Sequence, residues 1–230
     1  MENKGMDVEA ARESLLDAAL LHVVFDGWSA AAFEAACRDA GIGAHLARVI
    51  CPGGAADLAA DYHRRGDRLM LARLAAEDLA GMRFRDRIAT AIRFRLEVSD
   101  RELVRRGAAL FALPQHAATG AALIWGTADA IWTALGDTSR DINWYSKRAT
   151  LSAVYSATVL YWLGDESEAN AATRDFLDRR IEDVMRFETF KARVRENPVL
   201  SKVLERPMRI VEQIRAPRGG HRDLPGKIGG

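Results

Sequence analysis

Cysteine, clustered histidine, aromatic side chains and long apolar runs are all scarce in this sequence of 230 residues, and each scarcity excludes something. The two cysteines, Cys37 and Cys51, stand in apolar, Ala-rich surroundings with no CxxC and no histidine cluster beside them. That pattern argues against structural zinc or a disulfide framework and for a reducing compartment. His22, His45, His63, His116 and His221 are isolated from one another and form no HExxH or ExxH, so a catalytic metal has no ligand set. GxSxG, a P-loop and a GxGxxG after a strand are all missing. The paired acids Glu77-Asp78 and Glu182-Asp183 fall on charged helix faces, where salt-bridged solvation accounts for them. No enzyme, metal or catalytic cofactor is therefore expected. The longest stretch free of Asp, Glu, Lys and Arg, from Gly107 to Ala128, is broken by Pro114, Gln115, His116 and Gly120, so no membrane-spanning helix is expected.

What is present favours helices. Residues are 49% hydrophobic and only 7% aromatic, runs of Val, Ile and Thr are few, and no period-2 alternation competes with helical spacing. An all-α protein is the expectation, with helices over about 10–25, 30–40, 44–50, 55–81, 84–98, 101–112, 116–136, 140–163, 167–187 and 197–215. Gly27, Gly41 and the Cys51-Pro52-Gly53-Gly54 breaker mark the early stops, and Ser29 is an N-cap for the second helix. These signals divide the chain into a helix-turn-helix-like unit at 1–54, a helical bundle at 55–196, an amphipathic helix at 197–216 and a Gly-rich, basic, disordered tail at 217–230. Charge is uneven. Residues 1–60 carry 4 basic and 9 acidic side chains, 61–185 carry 18 of each, and 186–230 carry 11 and 5. The opening MENKGMDVEA reads as neither a signal nor a transit peptide, so a cytosolic, bacterial-like protein is expected.

The string LLDAALLHVVFDGWSAAAFEAACRDAGIGAHLARVICPGGAADL resembles the N-terminal signature of TetR-type regulators. Only scaffold residues carry that likeness. Binding to phosphates and bases needs Lys, Arg, Asn or Gln on the reading helix, yet 44–50 offers only His45 and Arg48, within an acidic segment. Nucleic acid is not an expected partner, although a TetR-type transcriptional regulator with a hydrophobic ligand pocket stands as the alternative reading.

The most informative string is DINWYSKRATLSAVYSATVLYWLG at 141–164. With RDRIATAIRFRLE at 85–97, DAIWTALGDTSRD at 129–141 and FLDRRIEDVM at 176–185, it closely resembles the lipid-binding accessory protein family of ubiquinone (coenzyme Q) biosynthesis, which has a TetR-like fold without a DNA function. The resemblance implies a TetR-like helical bundle of about ten helices that is not an enzyme. It implies a bound isoprenoid, quinone or phospholipid, membrane lipids and a quinone-ring hydroxylase as partners, and a peripheral place on the inner face of the bacterial cytoplasmic membrane. A homodimer follows by analogy with TetR-like folds. The family's hydroxylase-contacting positions match Asp141, Asn143, Trp144, Tyr145 and Arg148.

The residues themselves leave two readings open. Trp144 either packs in the core while Lys147 and Arg148 pair with Asp141 or Asp137, or it belongs to a partner-binding surface of the kind that Trp, Tyr and Arg dominate. Leu123, Trp125, Trp132, Leu151, Tyr155, Val159 and Trp162 sit on helices that are apolar around most of their circumference. They are either plain core or the lining of a lipid cavity. Leu200, Val203, Leu204, Met208, Val211 and Ile214 share one helical face, the pattern of an interfacial membrane helix or of a last helix packed on its own domain. Pro207 falls inside that stripe and should kink or split it.

Overall fold

The computed structural model describes residues 7–196, with side chains up to residue 186. It is helical throughout, with no strand among the described residues: α1 (Val8–Asp26), α2 (Ala30–Asp39), α3 (Ala44–Ile50), α4 (Ala55–Ala76), α5 (Phe84–Glu97), α6 (Arg101–Phe111), α7 (Ala117–Ala134), α8 (Ile142–Leu163), a single 3-10 turn (Glu168–Asn170) and α9 (Ala171–Glu196). The stripe at 200–214, the helix expected over 197–215 and the tail at 217–230 lie outside the described residues.

The chain divides into two compact units. The first takes the chain up to Leu69 together with Glu97–Leu123, and so is larger than the 1–54 segment expected. It grows because the short helices α1–α3 cannot bury their own apolar faces. Leu15, Leu16, Ala19 and Val23 of α1 pack with Phe33, Ala36, Ala47 and Ile50, and the core is completed by Leu58 of α4 and Leu103 of α6. Trp28 donates Nε1–H to the Leu103 carbonyl at 3.4 Å and sits 6.0 Å from the Tyr62 ring. Arg12 bonds Asp61 and the Ile50 carbonyl, tying α1 to α4 and to the end of α3. Local signals act as the sequence predicts. Ser29 Oγ accepts the Ala32 N–H, and Gly27 stops α1 at a left-handed φ of +65°. Cys37 and Cys51 are free and buried.

The second unit takes Met70–Leu96 and the described chain from Ile124. Met70, Ala91, Ile92, Ala128, Ile131, Leu151 and Leu177 are among its buried side chains, and Tyr161 of α8 stacks on Phe176 of α9 at 4.4 Å. Three helix bounds differ from expectation by more than two residues, one of them the end of α9, which runs to Glu196 and not to 187. α4 ends at Ala76 and not at 81, because Asp78 turns its carboxylate on to the Ala80 N–H while the Arg87 guanidinium takes the Met82 carbonyl. The last helix begins at Ala171, not 167, behind Ala169 and Asn170, whose φ values of +49° and +56° are left-handed. Asp165 fixes that corner by accepting from the Ser167 N–H and from both the N–H and hydroxyl of Thr173.

Candidate functional site

A cavity of about 280 Å³ opens in the second unit, just below the usual range for ligand pockets. One wall is a single stripe of α8: Asn143, Ser146, Lys147, Thr150, Leu151 and Val154 recur at the three- and four-residue steps of one helix face. The facing wall is apolar, with Phe84 and Ile88 from α5, Trp132 from α7, and Ile181, Val184 and Met185 from α9. Phe84 and Met185 are 43% and 46% exposed, which puts them at the mouth, and the Phe84 ring lies 5.3 Å from that of Trp132. Trp132 donates Nε1–H to the Lys147 carbonyl at 3.1 Å, so its ring is held as a fixed wall.

Lys147 of the α8 stripe also joins a largely buried charge cluster. Asp137, in the α7–α8 connection, accepts Lys147 Nζ at 2.7 Å on one oxygen and Arg148 Nη1 at 3.0 Å on the other. Arg148 Nε reaches Asp129 at 2.6 Å, and Lys147 Nζ also donates to the Ser139 hydroxyl at 2.7 Å. Burial opposes the ionisation of Asp137, but hydrogen bonds from Lys147, Ser139 and Arg148 outweigh it and hold the carboxyl well below the usual carboxylate range. Two cations meet two carboxylates, so the cluster is neutral as a whole.

Three aromatic rings gather at the start of α8. Trp144 and Tyr145 meet edge-on at 4.8 Å, and Trp125 lies 5.9 and 6.3 Å from them. The Arg148 guanidinium covers the Trp144 ring at 4.0 Å. Asp141 caps α8 by accepting the Asn143 N–H at 3.0 Å and takes the Asn143 side-chain amide on its second oxygen.

The sequence-derived residues thus separate. Asp141 and Asn143 are exposed and Trp144 and Tyr145 half-buried, but Arg148 is 2% exposed, which corrects its assignment to a contacting surface. Its charge is spent on Asp129 and Asp137, and it acts on the surface only by backing Trp144. Of the residues expected to line a lipid cavity, Trp132 and Leu151 line the cavity described above. Leu123, Tyr155 and Trp162 are buried without lining it, and Trp125 and Val159 are half-buried elsewhere. The α5 and α9 walls and the polar half of the α8 stripe were missed. The step from 143 through 147 and 150 to 154 was the signal for the stripe, while the α5 and α9 residues show it only once those helices are brought together.

The fold is that of an all-helical, TetR-like protein. The TetR transcriptional regulator of Nitrosomonas europaea superposes with a TM-score of 0.61 at 19% identity, over 75% of this chain and 97% of that one. Residues 117–188, which carry the cavity's α7–α8–α9 walls, match the COQ9 family model. Over that segment the chain is similar to the COQ9 family. The mitochondrial ubiquinone biosynthesis protein COQ9 of Drosophila melanogaster is 30% identical over 191 residues, 80% of this chain and 58% of that protein. The human mitochondrial protein is 28% identical over 185 residues, 77% and 58%. The chain thus spans about three fifths of the length of these relatives. No described helix is long and apolar enough to cross a membrane.

Proposed function

We propose that this protein is a non-catalytic accessory factor of ubiquinone biosynthesis that takes an isoprenoid or quinone lipid into the α5–α7–α8–α9 cavity and presents it to a quinone-ring hydroxylase. The observation that carries the reading is the position of the cavity: an apolar pocket with one polar stripe, built largely by the segment that matches COQ9. In this reading the hydroxylase docks on the face of Asp141, Asn143, Trp144 and Tyr145. The apolar stripe of Leu200, Val203, Leu204, Met208, Val211 and Ile214 seats the protein, as a homodimer, on the inner face of a bacterial cytoplasmic membrane. Lipid then passes between bilayer and cavity without crossing water, and DNA is not a partner.

Native mass spectrometry with solvent extraction of the purified full chain tests the central claim. One isoprenoid or quinone molecule per chain is expected. Protein that purifies empty and takes up no prenyl lipid from vesicles would remove the reading. Two variants test the surfaces: Trp144→Lys should weaken hydroxylase capture while lipid content holds, and the pair Leu200→Ser and Leu204→Ser should lower flotation with phosphatidylglycerol vesicles without unfolding the protein.

A further inference from the structure

Lys147 is the one charged side chain among the described residues that line the cavity. A lone ammonium in an apolar pocket would ordinarily select an anionic headgroup. Here it does not stand alone. Two of its three N–H groups are taken by Asp137 and Ser139, and its charge is matched by Asp137 within a cluster that Arg148 and Asp129 bring to zero. What the α8 stripe offers a ligand is the third N–H of Lys147, whose Nζ lies 5.1 Å from the Trp132 ring, and the Thr150 hydroxyl, beside Asn143 and Ser146, whose amide and hydroxyl donate to Asp141 and to the Asn143 carbonyl; none of these adds net charge.

We propose that the Asp137–Lys147 pair is a charge filter that reserves the cavity for uncharged lipids bearing a hydroxyl or carbonyl oxygen and turns away carboxylates and phosphates. An uncharged oxygen can accept the third N–H in place of its contact with the Trp132 ring at little desolvation cost. A carboxylate entering the same place would be an extra, unmatched anion beside Asp137, and burying such a charge is costly. Asp137 touches no ligand and is a specificity-determining residue acting through Lys147. The inference rests on the lipid-binding reading and narrows it to a ligand class.

Farnesol and farnesoic acid share a chain and differ in head charge at pH 7.5, so titration calorimetry of the full protein with each isolates the effect. The wild type should bind the alcohol about tenfold more tightly than the acid, a ratio tempered by the partial exposure of Lys147. Asp137→Asn leaves Lys147 unmatched and should bring that ratio to one or below. Lys147→Gln leaves the cluster anionic and should raise it. The double variant Asp137→Asn with Lys147→Gln restores neutrality and should restore the wild-type ratio, an outcome that simple damage to the pocket would not produce. If acid and alcohol bind alike in all four proteins, the filter is wrong while lipid binding stands. If the wild type binds neither, both the filter and the lipid reading fall.

Discussion

At the residue scale Arg148 is a buried charge shared between two carboxylates, and its removal takes the cation from Asp129 and one of the two cations from Asp137. Arg148→Ala should cost about 3–5 kcal/mol in denaturant unfolding, the usual loss when one partner of a buried charge pair goes. A cost near that of an exposed pair, under about 1 kcal/mol, would refute the burial described. Asp137 adds a pH dependence whose sign follows from its depressed pKa. The unfolded carboxyl titrates near pH 3.9. The stabilisation is therefore full above about pH 4 and is lost as the pH falls from there towards the folded value. Unfolding midpoints at descending pH should drop steeply below that point in the wild type and less so in Asp137→Asn, and parallel curves would contradict the assignment. The cysteines behave oppositely. Burial pushes the Cys51 thiol up to about 11, and Cys37 is raised for the same reason. Iodoacetamide at pH 8 should leave both unlabelled in the native protein and label both in denaturant.

At the scale of the helix, the corner before α9 carries a testable strain. Ala169 holds φ +49°, a region that suits glycine. Ala169→Gly should therefore raise stability by about 0.5 kcal/mol, a gain small because glycine also loses more freedom on folding. A loss on that substitution, measured by thermal unfolding, would mean that the alanine methyl packs. This corner also shows why the sequence misled. Apolar periodicity runs unbroken through 167–187, and nothing in it announces that Asp165 draws Thr173 back and delays the helix by four residues. At other ends the local signals sufficed: Gly27 and Ser29 mark the end of α1 and the start of α2, and the start expected near 140 lies within two residues of Ile142. The cavity was half legible. Trp132 and Leu151 stood out as large apolar residues, whereas Ile88 and Ile181 become lining only through the packing of distant helices. Arg148 was misread because an arginine beside tryptophan looks the same in sequence whether it faces solvent or a buried aspartate.

At the scale of the whole molecule, the TetR-like frame comes, among the described residues, with a single arginine on α3. α3 exposes His45, Arg48 and Val49, and Arg48 is laid over the Phe33 ring at 5.1 Å. The proposal that DNA is not a partner predicts no sequence-selective gel shift with the region upstream of the protein's own gene, and a salt-sensitive, selective shift at submicromolar protein would favour the regulator instead. The tryptophans have a further use. Trp28 is the one indole in the first unit, while Trp125, Trp132, Trp144 and Trp162 all belong to the second, with Lys147 Nζ 5.1 Å from the Trp132 ring. Four of the protein's five indoles therefore report on the cavity-bearing half. Trp28→Phe would leave only those four, letting the melting of that half be watched in ultraviolet light without any attached dye.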